Sequence, residues 1–121
     1  MEKINDELKK AISDIKPSFV ATARKDGQPN VSPKGSLRVF DDQHIVFADL
    51  RSPRTIENLK ENPYVSIIAL DPATRKGWRV WGKTVDIMTS GELFEKFSEE
   101  YAEKGKVNHV VKILVEEGLV F

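Results

Sequence analysis

Apolar and polar positions alternate along this chain with two different periods. Ile4, Leu8, Ala11, Ile12 and Ile15 fall at helical spacing with Lys, Asp and Glu between them, which predicts an amphipathic helix closed by Pro17. From Phe19 to Arg24 the chain becomes β-prone, and Asp26-Gly27 supplies a hairpin turn. A second strand resumes near Asn30. Its period of two puts Ser32, Lys34, Ser36 and Arg38 on one side and Val31, Pro33, Gly35, Leu37 and Val39 on the other. Pro33 lacks a ladder donor and Gly35 lacks a side chain, so a bulge or a close backbone approach is expected there. Such a face fits a solvated edge strand or a polar floor under a planar ligand.

The turn Asp41-Asp42-Gln43 leads into a strand from His44 to Leu50, with Ile45 and Phe47 opposite Val46 and Ala48. Ser52-Pro53 then marks a helix start, with Ser52 as cap and Pro53 in the first helical position. That helix turns Ile56 and Leu59 inward and ends at Asn62-Pro63. Strands are predicted over Tyr64 to Leu70 and Trp78 to Met88, with Gly82 marking a bend. Trp78 and Trp81 should lie on opposite faces of theirs. Thr89-Ser90-Gly91-Glu92 fits a capping box. The helix after it buries Leu93, Phe94, Phe97 and Tyr101 and ends at Lys104-Gly105. Val107 to Val115 is the last strand. The sum is six strands and three helices, an α+β chain whose hairpin start favours an antiparallel barrel. Residues 1–121 read as one small domain with no internal repeat or linker.

Charge and composition narrow the possibilities. Lys plus Arg and Asp plus Glu each number 19, so the formal net charge is zero, which argues against a dedicated nucleic-acid or anionic-membrane binder. With no cysteine, disulfides, thiolate metal sites and thiol nucleophiles are excluded. The charged start Met1-Glu2-Lys3 has no apolar region of a signal peptide, and no apolar run is long enough to cross a bilayer, so the cytoplasm is the expected location. His44 has nothing nearby at ligand spacing for a metal and is expected to flank a turn on the surface, and His109 is expected to be structural. No nucleophile elbow, phosphate-binding P-loop or dinucleotide fingerprint is present. What remains is a polar-faced strand and the helix start Ser52-Pro53-Arg54-Thr55, whose free N–H groups, hydroxyls and cation suit a phosphate. These parts suit a phosphorylated aromatic cofactor that carries the chemistry itself.

From Phe19 through Asp86 the chain resembles the FMN-binding split β-barrel family, the pyridoxamine 5′-phosphate oxidase-like proteins. The matching pieces are FVATARKDGQPNVSP, HIVFADLRSPRTIENLKENPYVSI and WRVWGKT. The resemblance implies a six-stranded split barrel, a homodimer with FMN at the subunit interface, and flavin-dependent oxidoreduction of a small molecule. It implies that Lys34, Gly35, Ser36 and Leu37 run along the isoalloxazine ring, with Arg38 near a phosphate-holding basic position. Ala48 and Asp49 would lie beneath the ribityl chain. Ser52, Arg54 and Thr55 match the phosphate-binding turn, with Asn58 one helical turn beyond Arg54. Trp78 and Trp81 would reach the partner's flavin. Where the oxidases often carry Ser-Arg-Lys, this chain has Ser52-Pro53-Arg54, so one phosphate cation is replaced. The oxidases proper continue into a segment that holds pyridoxal phosphate through Trp and Arg. This chain stops at Glu117-Gly118-Leu119-Val120-Phe121, and pyridoxamine phosphate itself is not the expected substrate. A non-catalytic flavin module, and binders of deazaflavin or haem, are the alternatives the resemblance leaves open.

Overall fold

The structure, a computed structural model, describes residues 4–121. The charged start Met1 to Lys3 lies outside the described residues. Helix α1 (Asp6–Asp14) comes first, followed by strands β1 (Ser18–Ala23), β2 (Pro29–Lys34), β3 (Arg38–Val39) and β4 (His44–Asp49). Helix α2 (Pro53–Glu61), β5 (Tyr64–Asp71), β6 (Lys76–Met88), α3 (Glu92–Glu100) and β7 (His109–Val120) complete the order. All strand pairings are antiparallel, in one sheet ordered β2-β1-β5-β6-β7-β4-β3. The sheet curls into a half-barrel, and the α+β split-barrel class expected from sequence is the observed one.

Among the described residues the strand count is seven, not six. The ladder of β2 ends at the pair Ser18 with Lys34, and that of β3 begins at Arg38 with Val46. The predicted continuous strand from Asn30 to Val39 is thus broken at Gly35, Ser36 and Leu37. The two halves sit at opposite ends of the sheet order, so this three-residue link joins the sheet's two edges and forms a seam. The alternation also means something other than a solvated face. Lys34 and Ser36 are buried, while Val31 and Pro33 face out.

One apolar cluster fills the barrel, built from Val20, Ile45, Phe47, Ile67, Trp78, Val80, Ile113 and their neighbours. Helix α1 seals one end with Leu8 and Ile12, joined by Ile4 just before its cap. Asn5 caps it, accepting the Leu8 N–H at 2.8 Å, and its apolar stripe leaves a polar outer face. A second cluster forms where α3 lays Phe97 over Val46, Ala48, Val107 and Val110. Strand β4 is therefore buried on both faces, which is why IVFA reads as an unbroken apolar run.

Three boundaries differ from expectation. The capping box at Thr89 does not form: α3 starts at Glu92 behind Gly91, whose φ of 101° suits a glycine, and no side chain caps it. The helix ends at Glu100, the following residues to Lys104 being turns, and Gly105 has a φ of 150°. The last strand runs from His109 to Val120, because β6 continues to pair it beyond Val115 after a register shift at Trp81 and Gly82. A Cβ on Gly82 would lie 2.5 Å from the Leu114 carbonyl oxygen, so the two backbones can approach at the bulge only with glycine there.

Candidate functional site

One cleft opens at the seam. It has a volume of about 520 Å³ and is lined by Ser32 to Ser36 on one side and by Ala48, Leu50, Arg51, Tyr101 and Lys104 on the other. A second hollow of about 320 Å³ adjoins it, sharing Ser32, Pro33 and Arg51 and reaching Ser52, Pro53, Arg54 and Thr55 at the start of α2. Both sizes are in or near the range of small-ligand sites.

The floor is unusual backbone. The peptide groups of Gly35, Ser36 and Leu37 lie between two ladders and take part in neither. A Cβ on Gly35 would meet nothing within 4 Å, so the space above it is open. Ser36 is fixed from below: its Oγ accepts the Ala48 N–H at 2.9 Å and donates to the Ala48 carbonyl at 3.3 Å. The seam is therefore held in place where Gly35 and Ser36 line the cleft.

Under the floor runs a chain of buried polar groups. The Lys34 ammonium donates to Ser52 Oγ at 2.6 Å and to Ser32 Oγ at 3.2 Å, and sits 5.8 Å from the centre of the Phe47 ring. Ser52 Oγ donates to Asp49 Oδ1 at 2.6 Å, and the Ser52 N–H reaches the same oxygen at 2.8 Å. His109 Nδ1 lies 2.7 Å from Asp49 Oδ2, and the carboxylate acceptor places the proton on that nitrogen. Burial pushes the Asp49 carboxyl up. The hydrogen bonds from Ser52 and His109 outweigh it and hold the group below the usual carboxylate value. Burial pushes the Lys34 ammonium below the usual lysine value, and the Asp49 charge offsets only part of that.

This chain explains why Ser52 does not do what its position predicts. Its hydroxyl is engaged by Lys34 and Asp49, and it makes no capping hydrogen bond to α2. The first turn of α2 holds no acid, and Arg51 and Arg54 are exposed beside it. The helix start keeps its positive end open to an anion.

The sequence-named residues divide into two sets. Lys34, Gly35, Ser36 and Ala48 line the seam cleft, and Ser52, Arg54 and Thr55 line the adjoining hollow, with Asp49 directly behind. The others lie elsewhere. Leu37 points into the barrel core, and its carbonyl accepts from Lys16 Nζ at 2.8 Å. Arg38 lies over the Phe97 ring, 4.1 Å from its centre, and pairs with Glu100 at 2.9 Å, facing a different cleft beside α1. Asn58 is buried and donates to Thr22 Oγ1 at 3.0 Å. Trp78 is a core residue whose Nε1 donates to the Ile15 carbonyl at 3.1 Å. Trp81 is half-buried on the outer sheet face, with the Arg79 guanidinium 4.8 Å from its ring centre. Sequence reasoning passed over Arg51, Tyr101 and Lys104 in the cleft and the link from His109 to Asp49. Arg51 had a signal, a second cation next to Ser52; Tyr101 and Lys104 reach the site only because α3 folds back over β4.

Comparison with known proteins agrees with this architecture. Residues 4–118 match the pyridoxamine 5′-phosphate oxidase family. The uncharacterized protein MJ0282 of Methanocaldococcus jannaschii is 30% identical over 118 residues, which cover 92% of this chain and 77% of that one. HupZ of Group A Streptococcus superposes with a TM-score of 0.85 at 28% identity, covering 98% of this chain and 94% of that one. An FMN-binding protein from Syntrophomonas wolfei shares the fold with a TM-score of 0.85 at 17% identity, covering 98% of this chain and 84% of that one. The fold also serves an F420 reductase (TM-score 0.70, 20% identity, covering 92% and 94%) and the haem storage protein HutZ of Vibrio cholerae (0.70, 21%, 98% and 94%). The chain belongs to the pyridoxamine 5′-phosphate oxidase family, and its fold is one that flavin, deazaflavin and haem proteins share.

Proposed function

We propose that this protein binds FMN at the seam and is a flavin-dependent oxidoreductase acting on a small molecule. The observation that carries the reading is the continuity of two features: an open floor at Gly35 and Ser36, whose peptide groups join neither ladder, and a helix start flanked by Arg51 and Arg54. A flavin ring needs a flat wall with donors and acceptors at its edge, and its phosphate needs cations and free N–H groups. The residues present fit both needs. Gly35 leaves the floor clear, Arg51 stands in for the cation that Pro53 displaces, and Thr55 and Arg54 complete the anion end. Bound FMN supplies hydride and electron transfer. The protein's own part is to hold the phosphate, orient the ring and set the electrostatics through Lys34.

The partner in this reading is a second copy of the chain. The outer face of the sheet carries a row from Pro33 through Phe19, Ile68 and Arg79 to Leu119, beside Trp81, Leu70 and Tyr64. Tyr64 is 56% exposed and Val31 62%. Apolar side chains gathered so on one sheet face mark a protein interface, and Trp81 on it would stand near the partner's cleft.

The absorbance spectrum of protein titrated with FMN, F420 and haem tests the cofactor. A saturable flavin spectrum supports the proposal, and protein that binds no FMN ends it. Arg54→Ala should weaken FMN about tenfold while riboflavin, which has no phosphate, loses little. Equal losses would remove the phosphate role. The mass in solution tests the dimer.

A further inference from the structure

The chain Lys34–Ser52–Asp49–His109 does more than fill a polar hole. It crosses the barrel wall. Lys34 opens on the seam cleft, and His109 opens on a separate hollow of about 420 Å³ lined by Leu59, Lys60, Thr84 to Ile87 and Thr89. Each link is 2.7 Å or shorter. Two proton-bearing ends therefore share one buried carboxylate.

We propose that Lys34 is the acid–base group of the cleft, exchanging a proton with an oxygen or nitrogen of the bound ligand, and that Ser52, Asp49 and His109 position its ammonium and set how readily it gives the proton up. This deepens the flavin reading and rests on it only for the identity of the ligand. The step is a plain proton transfer. An N–H bond of the Lys34 ammonium breaks as the proton moves to the ligand, the amine keeps the electron pair, and cleft water restores the proton. Ser52 and Asp49 touch no ligand and are positioning residues.

The geometry gives the chain a direction. Asp49 is the acceptor from both sides, so it favours the charged form of Lys34 through Ser52. A proton on His109 neutralises part of the same carboxylate charge, and the hold on Lys34 weakens. By reciprocity, loss of the Lys34 charge strengthens the hold on a protonated His109. Burial already keeps Lys34 below the usual lysine value, so it lies within reach of such control. The other charged groups facing the two ends are Arg51 and Lys104 in the cleft, and Lys60 and Asp86 beside His109.

The test reads Lys34 itself, in protein without ligand, from the NMR shift of its ε-carbon against pH. In the native chain the signal should move in two steps. One step follows the charge state of His109, and the other is the loss of the Lys34 proton itself, below the usual lysine value. Asp49→Asn should lower the second step by about one pH unit. His109→Gln should abolish the first step and leave the fold unchanged. Ser52→Ala should uncouple the two, and Ser52→Thr, which keeps the hydroxyl, should restore them. A Lys34 signal that titrates like surface lysines, or that ignores both His109→Gln and Asp49→Asn, overturns the proposal. These results stand whether or not FMN binds. If FMN binds, proton uptake on binding, measured by calorimetry in two buffers, should change in His109→Gln; unchanged uptake also overturns it.

Discussion

Helices α1 and α2 are each nine residues long, and each follows a residue type that favours capping. Asn5 caps α1 in the ordinary way, and Asp6 and Glu7 in its first turn complement the positive end of the helix. Ser52 precedes α2 but spends its hydroxyl on Lys34 and Asp49, and the first turn behind it has no acid. One helix start is closed by its own chain. The other is left open, and two arginines stand around it. The difference shows where stability gives way to binding. A capping residue drawn into a tertiary network leaves a positive, unsatisfied helix end at the rim of a cleft.

The contrast can be broken most strongly at Asp49. Asp49→Ala leaves Ser52 and His109 without their common acceptor and Lys34 without its nearby negative charge, and it should cost about 3 kcal/mol in urea unfolding. The same carboxylate sets an acid limit. Its folded value is depressed below 3.8, so its contribution is complete above that pH and is lost as the pH falls through the lowered value. Stability measured from pH 5 downward should therefore fall less steeply in Asp49→Asn than in the native chain. Lys34 changes stability with pH in the same direction, but by relief of a cost. Its folded value is below 10.5, so the cost of burying its charge is full at neutral pH and is relieved as the pH rises through that value.

The two helix starts separate next. Asn5→Ala should cost about 1 kcal/mol and leave FMN affinity unchanged, because it removes a cap far from the cleft. Ser52→Ala should cost about 1–2 kcal/mol through the buried network, and it should also change ligand affinity. Equal effects of the two on affinity would mean that the start of α2 is no binding element. The smallest effect on stability is expected at Gly35, where a Cβ meets open space. Gly35→Ala should shift unfolding by less than about 0.5 kcal/mol, yet it puts a methyl group on the floor of the cleft. Loss of flavin binding with the fold intact is the expected result, and intact binding would move the ring away from Gly35.

Much of this fold was legible because it is written in local periodicity. The stripe of α1, the Asp26-Gly27 hairpin, the doubly buried run of β4 and the long β6 all follow from neighbouring residues. The break after Lys34 was half legible. Pro33 and Gly35 signalled an irregular strand, but only the sheet order shows that its halves belong to opposite edges. The failed capping box at Thr89 and the diverted Ser52 share one cause, a local signal overridden by the course of the chain or by a tertiary partner. The site was legible where it is contiguous, from Lys34 to Ser36 and from Ser52 to Thr55. It was not legible where residues distant in sequence meet. Nothing near Asp49 announces His109, and nothing near Arg38 announces that Phe97 and Glu100 will draw it to another face.

The seam between β2 and β3 has a mechanical consequence. Everywhere else around the sheet, adjoining strands are laced by backbone ladders, so opening the ring there breaks several bonds together. At Gly35 to Leu37 the two edges are joined by one covalent thread and by side-chain ties such as Ser36 to Ala48 and Lys34 to Ser52. A molecule seated there acts as a clasp. It should slow amide hydrogen exchange first at the clasped edges, with β5 and β6 on the far side of the ring scarcely affected.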